Sequence, residues 1–213
     1  ARPVLVDIDE ETFNIDVSKI EAAITDKTKA IIPVDLYGQP CDWKELREIA
    51  DKHELKIIED ACQAIGAEYD GVKTGALGDF GCFSLYATKN IMCGEGGVVT
   101  TNSDDAAAAI RSFRQHGMTS SYEYADLGYN YRMSDLHGAI AVEQLKKVED
   151  FTNRRQHNAN MLNEALAGIE EIVLPKIASN RNHVYHQYTI LLDKSIRRDD
   201  FIAKLREKGV GAG

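Results

Sequence analysis

The sequence lacks the features that mark several specialised classes of protein. None of its four cysteines has a close cysteine neighbour of the kind that zinc sites and redox motifs use. No apolar run approaches the length of a membrane-spanning helix, and the opening ARPVLVDID has neither the basic nor the apolar region of a signal peptide. We therefore expect a cytoplasmic protein with reduced thiols, no membrane segment and no metal site. The chain also lacks an initial methionine and stops just after an apparent helix, so both ends are expected to continue.

An excess of positive charge is also absent. The chain has 25 lysine and arginine residues against 34 aspartate and glutamate residues, which gives a formal net charge of −9. So acidic a balance argues against a general binding surface for nucleic acid or for an anionic membrane. A local pocket for an anion is compatible with it.

The first 60 residues show the alternating pattern of an α/β protein. Short β-branched runs predict strands at VLVDI, KAIIPV and KIIED, and the segments between them, DVSKIEAAI and DWKELREIADKH, predict helices. Asp42 followed by Glu45 resembles a capping box at the start of the second helix. Runs as apolar as AIIPV indicate strands covered on both faces. This predicts a largely parallel, doubly wound sheet with a ligand site beyond the carboxyl ends of its strands.

The rest of the chain predicts two further strands, three helices and a smaller unit. The strands are FGCFSLYA and GGVVTT. One helix is capped by Ser103 and ends at Gly117; a second is capped by Ser134, and a third stops at Gly168. The last segments, VLP, HVYHQYTILL and RDDFIAKLREKG, indicate strand, strand and helix. We divide the chain into a large domain over residues 1–150, and a linker helix with part of a small α+β domain over residues 151–213.

Lys89 is the residue whose surroundings suggest chemistry. It stands between an apolar stretch and a glycine cluster in CFSLYATKNIMCGEGGVVTT, where a lysine that only needs water is poorly placed. The alternative is a solvated loop lysine. The segment KIIED delivers Glu59 and Asp60 to the carboxyl edge of the sheet, with the two carboxylates on opposite faces. The alternative for these acids is a helix cap or a surface position.

Lys89 and an acid at the end of a neighbouring strand together suggest pyridoxal 5′-phosphate (PLP). This cofactor requires an amine for a Schiff base and a carboxylate that keeps its pyridine nitrogen protonated. The positive ring then withdraws electrons from the carbanion formed during transamination. Ser84, five residues before the lysine, offers a hydroxyl for the phosphate, although alone it is only a strand serine.

Five segments, taken in order and spacing, resemble the sugar aminotransferases of the DegT/DnrJ/StrS type. They are PVLVDID, IIPVDLYGQP, IIEDACQAIGAEYDG, GDFGCFSLYATKNIMCGEGGVVTT and LGYNYRMSDLHGAIAVEQL. The resemblance runs through nearly the whole chain. It implies an α/β fold of the aspartate aminotransferase type (fold type I), with the PLP-binding large domain and part of the C-terminal domain present.

The resemblance also implies the residues of the site. PLP is expected on Lys89 as an internal aldimine, with Asp60 at the pyridine nitrogen and Gln63 near the phenolic oxygen. Ser84 is implied as a phosphate ligand, and Asn130 as a group that reaches the phosphate of the neighbouring subunit in a homodimer with shared active sites.

The resemblance implies an aminotransferase that moves an amino group from glutamate or glutamine to a keto sugar, attached to a nucleotide. The dehydratases of this family have histidine in place of Lys89, so the lysine favours amino transfer. Asp35 and Ile65 depart from the family pattern, because histidine is frequent at both positions. A keto-inositol or another cyclic ketone as substrate stays open, and so does a noncatalytic regulatory or binding protein that keeps the cofactor fold.

Other motifs carry less weight. The GEGG run lacks the spacing and the preceding strand of a nucleotide loop. His183 and His186 lie on a predicted strand where their spacing puts them on opposite faces, so we interpret them as packing or solvent-facing residues rather than metal ligands. The tyrosines of residues 122–131 are interpreted as part of a dimer interface.

Overall fold

A four-stranded sheet organises the computed structural model of the chain, which describes residues 1–213. Its strands are β1 (Ala30–Ile31), β2 (Lys56–Asp60), β5 (Phe80–Ser84) and β6 (Gly97–Thr100), in that spatial order. The first three are parallel, and β6 is antiparallel to β5. The predicted parallel sheet and the two strands on either side of Lys89 are therefore confirmed.

Smaller strand pairs surround this sheet. β3 (Glu68–Tyr69) pairs with both β4 (Val72–Lys73) and β10 (Arg181–Asn182), and β7 (Met118–Ser120) pairs with β8 (Glu123–Tyr124). β9 (Ile172–Val173) pairs with β11 (Leu191–Leu192). The β3–β10 pair joins the segment after residue 180 to the large sheet's loops.

Five α-helices complete the fold: α1 (Trp43–Lys52), α2 (Asp104–Phe113), α3 (Asp135–Leu145), α4 (Val148–Leu166) and α5 (Arg198–Glu207). None of them is long and apolar enough to cross a membrane. The Ser103 and Ser134 hydroxyls accept hydrogen bonds from backbone N–H groups in the first turns of α2 and α3, as predicted. The division of the chain after residue 150 stays a prediction, and α4 crosses that position.

The main hydrophobic core lies between α1 and the sheet. Its buried residues are Ile20, Ile31, Cys41, Trp43, Leu46, Ala50, Leu55 and Ile57. A second cluster brings Val184 onto three alanines of the loop after β2, namely Ala61, Ala64 and Ala67. The segment around Val184 is thus held against the end of β2, which matters for the site.

Several local predictions were wrong. VLVDI forms no strand, because nothing pairs with it beyond an isolated bridge between Ile8 and Ile15, and Leu5 is 93% exposed. DVSKIEAAI forms two short 3₁₀ turns instead of a helix, since a segment this short does not offset the cost of helix nucleation. The α2 helix ends at Phe113, four residues before Gly117, although Gly117 has the expected left-handed φ of 73°.

Two further predictions of local structure were wrong. Asp42 does not cap α1, because its carboxylate is paired with the guanidinium of Arg181. HVYHQYTILL is not one strand, since Tyr185 has a left-handed φ of 45° that interrupts extended backbone. The cysteines are all free, as expected.

Candidate functional site

The candidate site lies where β2 ends at the carboxyl edge of the sheet. Asp60 is the last residue of β2, and its backbone N–H donates to the Pro33 carbonyl at 2.9 Å. Its own carbonyl accepts from the Asp35 N–H at 3.0 Å, and it is in register with Cys82 of β5. Bonds to both neighbouring segments fix the backbone from which the Asp60 side chain projects.

The two adjacent acids of β2 have different environments. Glu59 is fully buried, and its carboxylate accepts from the backbone N–H groups of Gly75 at 2.5 Å, Leu77 at 3.2 Å and Gly78 at 3.3 Å. It therefore holds the loop before β5. Asp60 lies on the opposite face because strand side chains alternate, as predicted.

Asp35 is a second fully buried carboxyl group, on the Glu59 side of the sheet. One oxygen accepts from the Cys41 N–H at 2.9 Å and the Trp43 indole at 3.3 Å, while Oδ2 has no partner. Burial and the negative charge of Glu59 raise the pKa of Asp35 well above its usual range. Burial also raises the pKa of Glu59, and the hydrogen bonds from its three backbone N–H donors oppose that rise.

Lys89 lies in the turn that connects β5 with β6. Its backbone N–H donates to the Tyr86 carbonyl at 2.9 Å, and the half-buried side chain is near the Cys62 thiol. The pKa of Cys62 is raised to about 12, mainly by burial and by the Asp60 carboxylate against it, while the positive charge of Lys89 opposes the rise. Asp60 and Lys89 thus shift the pKa of the same thiol in opposite directions, and their binding of one ligand stays a prediction.

Asp60 keeps one oxygen free for a ligand. Oδ1 accepts from the Cys62 backbone N–H at 3.1 Å, and no N–H group of the chain binds Oδ2. A free carboxylate oxygen, on a side chain that is only partly buried, can accept a hydrogen bond from a protonated ring nitrogen.

The orientation of the Gln63 amide is fixed by the loop that precedes α1. Its Oε1 accepts from the Tyr37 backbone N–H at 2.7 Å, so this end of the amide is used within the protein. The NH₂ end is left to donate. The NH₂ group of an amide held in this way can donate a hydrogen bond to an acceptor such as a phenolate oxygen.

Ser84 and Asn130 are placed differently. Ser84 ends β5 two residues after Cys82, so its side chain shares the Asp60 face of the sheet, and its hydroxyl accepts only a long bond of 3.3 Å from the Tyr86 N–H. Asn130 lies in an exposed loop, where its side chain binds only the Arg132 guanidinium, at 2.9 Å. Its predicted role in a neighbouring subunit's site stays a prediction.

The sequence interpretation missed two residues beside Lys89. Asn90, which follows the lysine, is 8% exposed and faces His186, with 3.0 Å between Oδ1 and Nδ1. Burial lowers the pKa of His186, and the positive charges of Lys89 and Arg155 lower it further. His186 is half-buried and contacts Asn90, which agrees with the first of the two predicted roles, that of a packing residue. The contact could not be predicted because Asn90 and His186 are 96 residues apart and no sequence motif links them.

The loop around Gly38 packs closely against the segments that carry Gln63 and His186. Gly38 has a φ of 100°. A β-carbon there would lie 2.9 Å from Cγ2 of Val184 and 3.1 Å from both the backbone oxygen of Gln63 and the backbone nitrogen of His186. Only glycine allows the three segments to approach in this way.

The residues at this edge fit PLP. A free carboxylate oxygen at Asp60 suits the ring nitrogen, the NH₂ of Gln63 suits the phenolic oxygen, and the Ser84 hydroxyl suits a phosphate. Lys89 provides the amine. Because each group has an unused donor or acceptor of the right kind, the chemistry of the set matches the cofactor.

Comparison with known proteins supports the same assignment. The model of the DegT/DnrJ/EryC1/StrS aminotransferase family matches residues 1–213. The chain is 43% identical to the GDP-perosamine synthase of Caulobacter vibrioides, over 99% of the chain and 58% of that protein. It is also 43% identical to the pleiotropic regulatory protein of Geobacillus stearothermophilus, over 99% of the chain and 56% of that protein.

A solved structure agrees with this result. The crystal structure of DesV from S. venezuelae superposes with a TM-score of 0.94 at 36% identity, over 98% of the chain and 56% of DesV. The chain thus spans little more than half the length of these relatives. The match confirms the expected α/β aminotransferase fold, and the enzymes of this family depend on PLP, the expected cofactor. The chain belongs to the DegT/DnrJ/EryC1/StrS aminotransferase family.

Proposed function

We propose that the protein is a PLP-dependent aminotransferase that moves an amino group from glutamate or glutamine to a nucleotide-linked keto sugar. The observation that carries this proposal is the set of unused polar groups at the carboxyl edge of β2 and β5, next to Lys89. Family membership supports the reaction class, and the similarity to a synthase of GDP-perosamine supports a nucleotide-linked sugar. A keto-inositol or another cyclic ketone is the second substrate class, and a substrate screen separates the two.

Each residue of the site has a role in this proposal. Asp60 would hold the ring nitrogen in its protonated form, Gln63 the phenolic oxygen, and Ser84 the phosphate. When bound, PLP withdraws electrons from the α-carbon of the amino donor. Lys89 would anchor the cofactor and, once displaced by the donor, move the proton that leaves the α-carbon.

The catalytic unit is proposed to be a homodimer. The single chain exposes a large apolar surface over residues 122–145, where Tyr122 is 84%, Leu127 71% and Leu136 70% exposed. Exposed apolar patches of this kind mark interaction sites. Asn130 lies within it, which suits a residue that completes the partner's site.

The test is replacement of Lys89 in the complete protein. Lys89→Ala should abolish the visible absorbance band of bound PLP and lower amino transfer by several orders of magnitude, because both anchoring and proton transfer are lost. Lys44→Ala, which changes an exposed lysine of α1, should leave both measurements unchanged. Turnover at a near-normal rate in the Lys89 variant would refute the proposal.

A noncatalytic role is the second candidate, because one relative is a pleiotropic regulatory protein. Addition of glutamate to the PLP-loaded wild-type protein discriminates between the two. An enzyme should lose the visible band of bound PLP as the amino group is transferred, whereas an unchanged spectrum favours a regulatory protein. Lys89 itself favours the enzyme.

A further inference from the structure

Asn90 is held by two contacts with the segment that follows β10. Its Nδ2 donates to the Val184 carbonyl at 3.3 Å, and its Oδ1 lies 3.0 Å from Nδ1 of His186. Because Asn90 is the residue after Lys89, these contacts fix the backbone of the lysine turn on its C-terminal side.

The pattern of donors defines the protonation of His186. The Val184 carbonyl can only accept, so the NH₂ of Asn90 faces it and the amide oxygen faces His186. That oxygen is an acceptor too, so Nδ1 of His186 must carry the hydrogen. In the neutral ring, Nε2 is then the unprotonated nitrogen.

The segment that carries His186 is itself anchored from two sides. The Arg155 guanidinium of α4 donates to the carbonyls of Tyr185 at 3.0 Å and His186 at 3.3 Å. The Val184 N–H donates to the Gly38 carbonyl at 3.0 Å. The partner of Asn90 is therefore a fixed support rather than a loose loop.

We propose that His186 is a positioning residue for Lys89, which acts through its Nδ1–H bond to Asn90. This inference rests on the proposed function of Lys89. The Asn90–His186 clasp holds the lysine turn against the segment that α4 supports, and so keeps the amine directed toward the Asp60 face of the sheet.

The test compares three replacements of His186 in the complete protein. Asparagine places an NH₂ group where Nδ1 lies, glutamine places it where Nε2 lies, and leucine removes the donor. His186→Leu and His186→Gln should each raise the dissociation constant for PLP about tenfold and lower kcat, with the KM for the amino donor unchanged. His186→Asn should stay within about twofold of the wild type. If His186→Leu folds poorly, Asn90→Ala provides the same test from the other side of the contact, and it should show the same roughly tenfold weaker PLP binding and lower kcat.

His183→Leu is the matched control, because His183 is buried in the same segment but forms no hydrogen bond with Asn90. It should lower thermal stability without changing PLP affinity. In the protein without PLP, amide hydrogen exchange over residues 86–93 should accelerate in His186→Leu and not in the control. This second measurement tests the clasp even where the proposed function fails.

The outcomes separate the two proposals. Wild-type PLP binding together with an unchanged His186→Leu variant, or an equal loss in His183→Leu, would overturn the positioning role and leave the proposed function intact. Absence of PLP binding in the wild type would instead overturn the proposed function, while faster exchange over residues 86–93 would still support the clasp.

Discussion

The carboxylates of Glu59 and Asp60 are adjacent in β2 and lie on opposite faces of the sheet. Glu59 is fully buried and accepts three backbone N–H groups, whereas Asp60 keeps an oxygen without an N–H partner. One acid thus stabilises the loop before β5, and the other is free to bind a ligand.

Exchange of each acid for its amide should separate stability from activity. Asp60→Asn should lower the rate of amino transfer about a hundredfold and leave the thermal midpoint unchanged. The rate falls because loss of the negative charge beside the ring nitrogen of PLP lowers the pKa of that nitrogen by about 1–3. Glu59→Gln should lower the free energy of unfolding by about 1–3 kcal/mol, because one amide end cannot accept the loop N–H groups. Urea titration and a transamination assay measure the two effects. Equal losses of stability in both variants would contradict the assignment.

Gln63 and Gln39 form a second matched pair. Both ends of the Gln39 amide are used within the protein, by the Lys176 carbonyl at 3.1 Å and the Ala178 N–H at 2.9 Å, whereas Gln63 uses only its oxygen. Gln63→Glu should weaken PLP binding at least about tenfold, since a carboxylate oxygen would replace the NH₂ that donates to the phenolate. Gln39→Glu should lower stability and leave PLP affinity unchanged. Spectroscopic PLP titration gives both affinities, and a tight Gln63→Glu complex would exclude the predicted contact.

The sequence located the parts of the site that local pattern determines. The apolar strands on either side of Lys89, and the strand end at Asp60, follow from β-branched runs and the parallel sheet they form. The contact of Asn90 with His186 could not be predicted, because it joins residues 96 positions apart. The left-handed backbone at Tyr185 also breaks the strand alternation from which the direction of His186 was inferred.

His183 should make stability depend on pH. Burial lowers its pKa to about 4, below the ordinary value of about 6.5 that the unfolded chain has. Between these values the unfolded chain binds a proton that the folded protein excludes, so the free energy of unfolding should fall as pH falls from about 6.5 to 4, by up to about 3 kcal/mol. The full contribution is present above pH 6.5.

His183→Asn removes this titration and keeps an acceptor for the Tyr185 N–H, which now lies 2.9 Å from Nδ1. Urea unfolding at several pH values should therefore give a shallower acid slope for the variant than for the wild type. Other groups titrate in the same range, but they are common to both proteins and cancel in the difference. Identical slopes would show that His183 is not buried in its neutral form.

Asn130 allows a direct test of the shared active site. Its side chain forms a hydrogen bond only with Arg132 within its own chain, and it lies in the exposed apolar surface over residues 122–145. If Asn130 completes the partner's site, Lys89→Ala and Asn130→Ala homodimers should each be nearly inactive. A mixed dimer, however, contains one site with both residues intact. Equal amounts of the two variants, unfolded and refolded together, should therefore recover about a quarter of wild-type activity, since half of the dimers are mixed and each has one working site. A mixture that stays inactive would mean that Asn130 serves the site of its own chain, and the chain's apolar surface would then need a different partner.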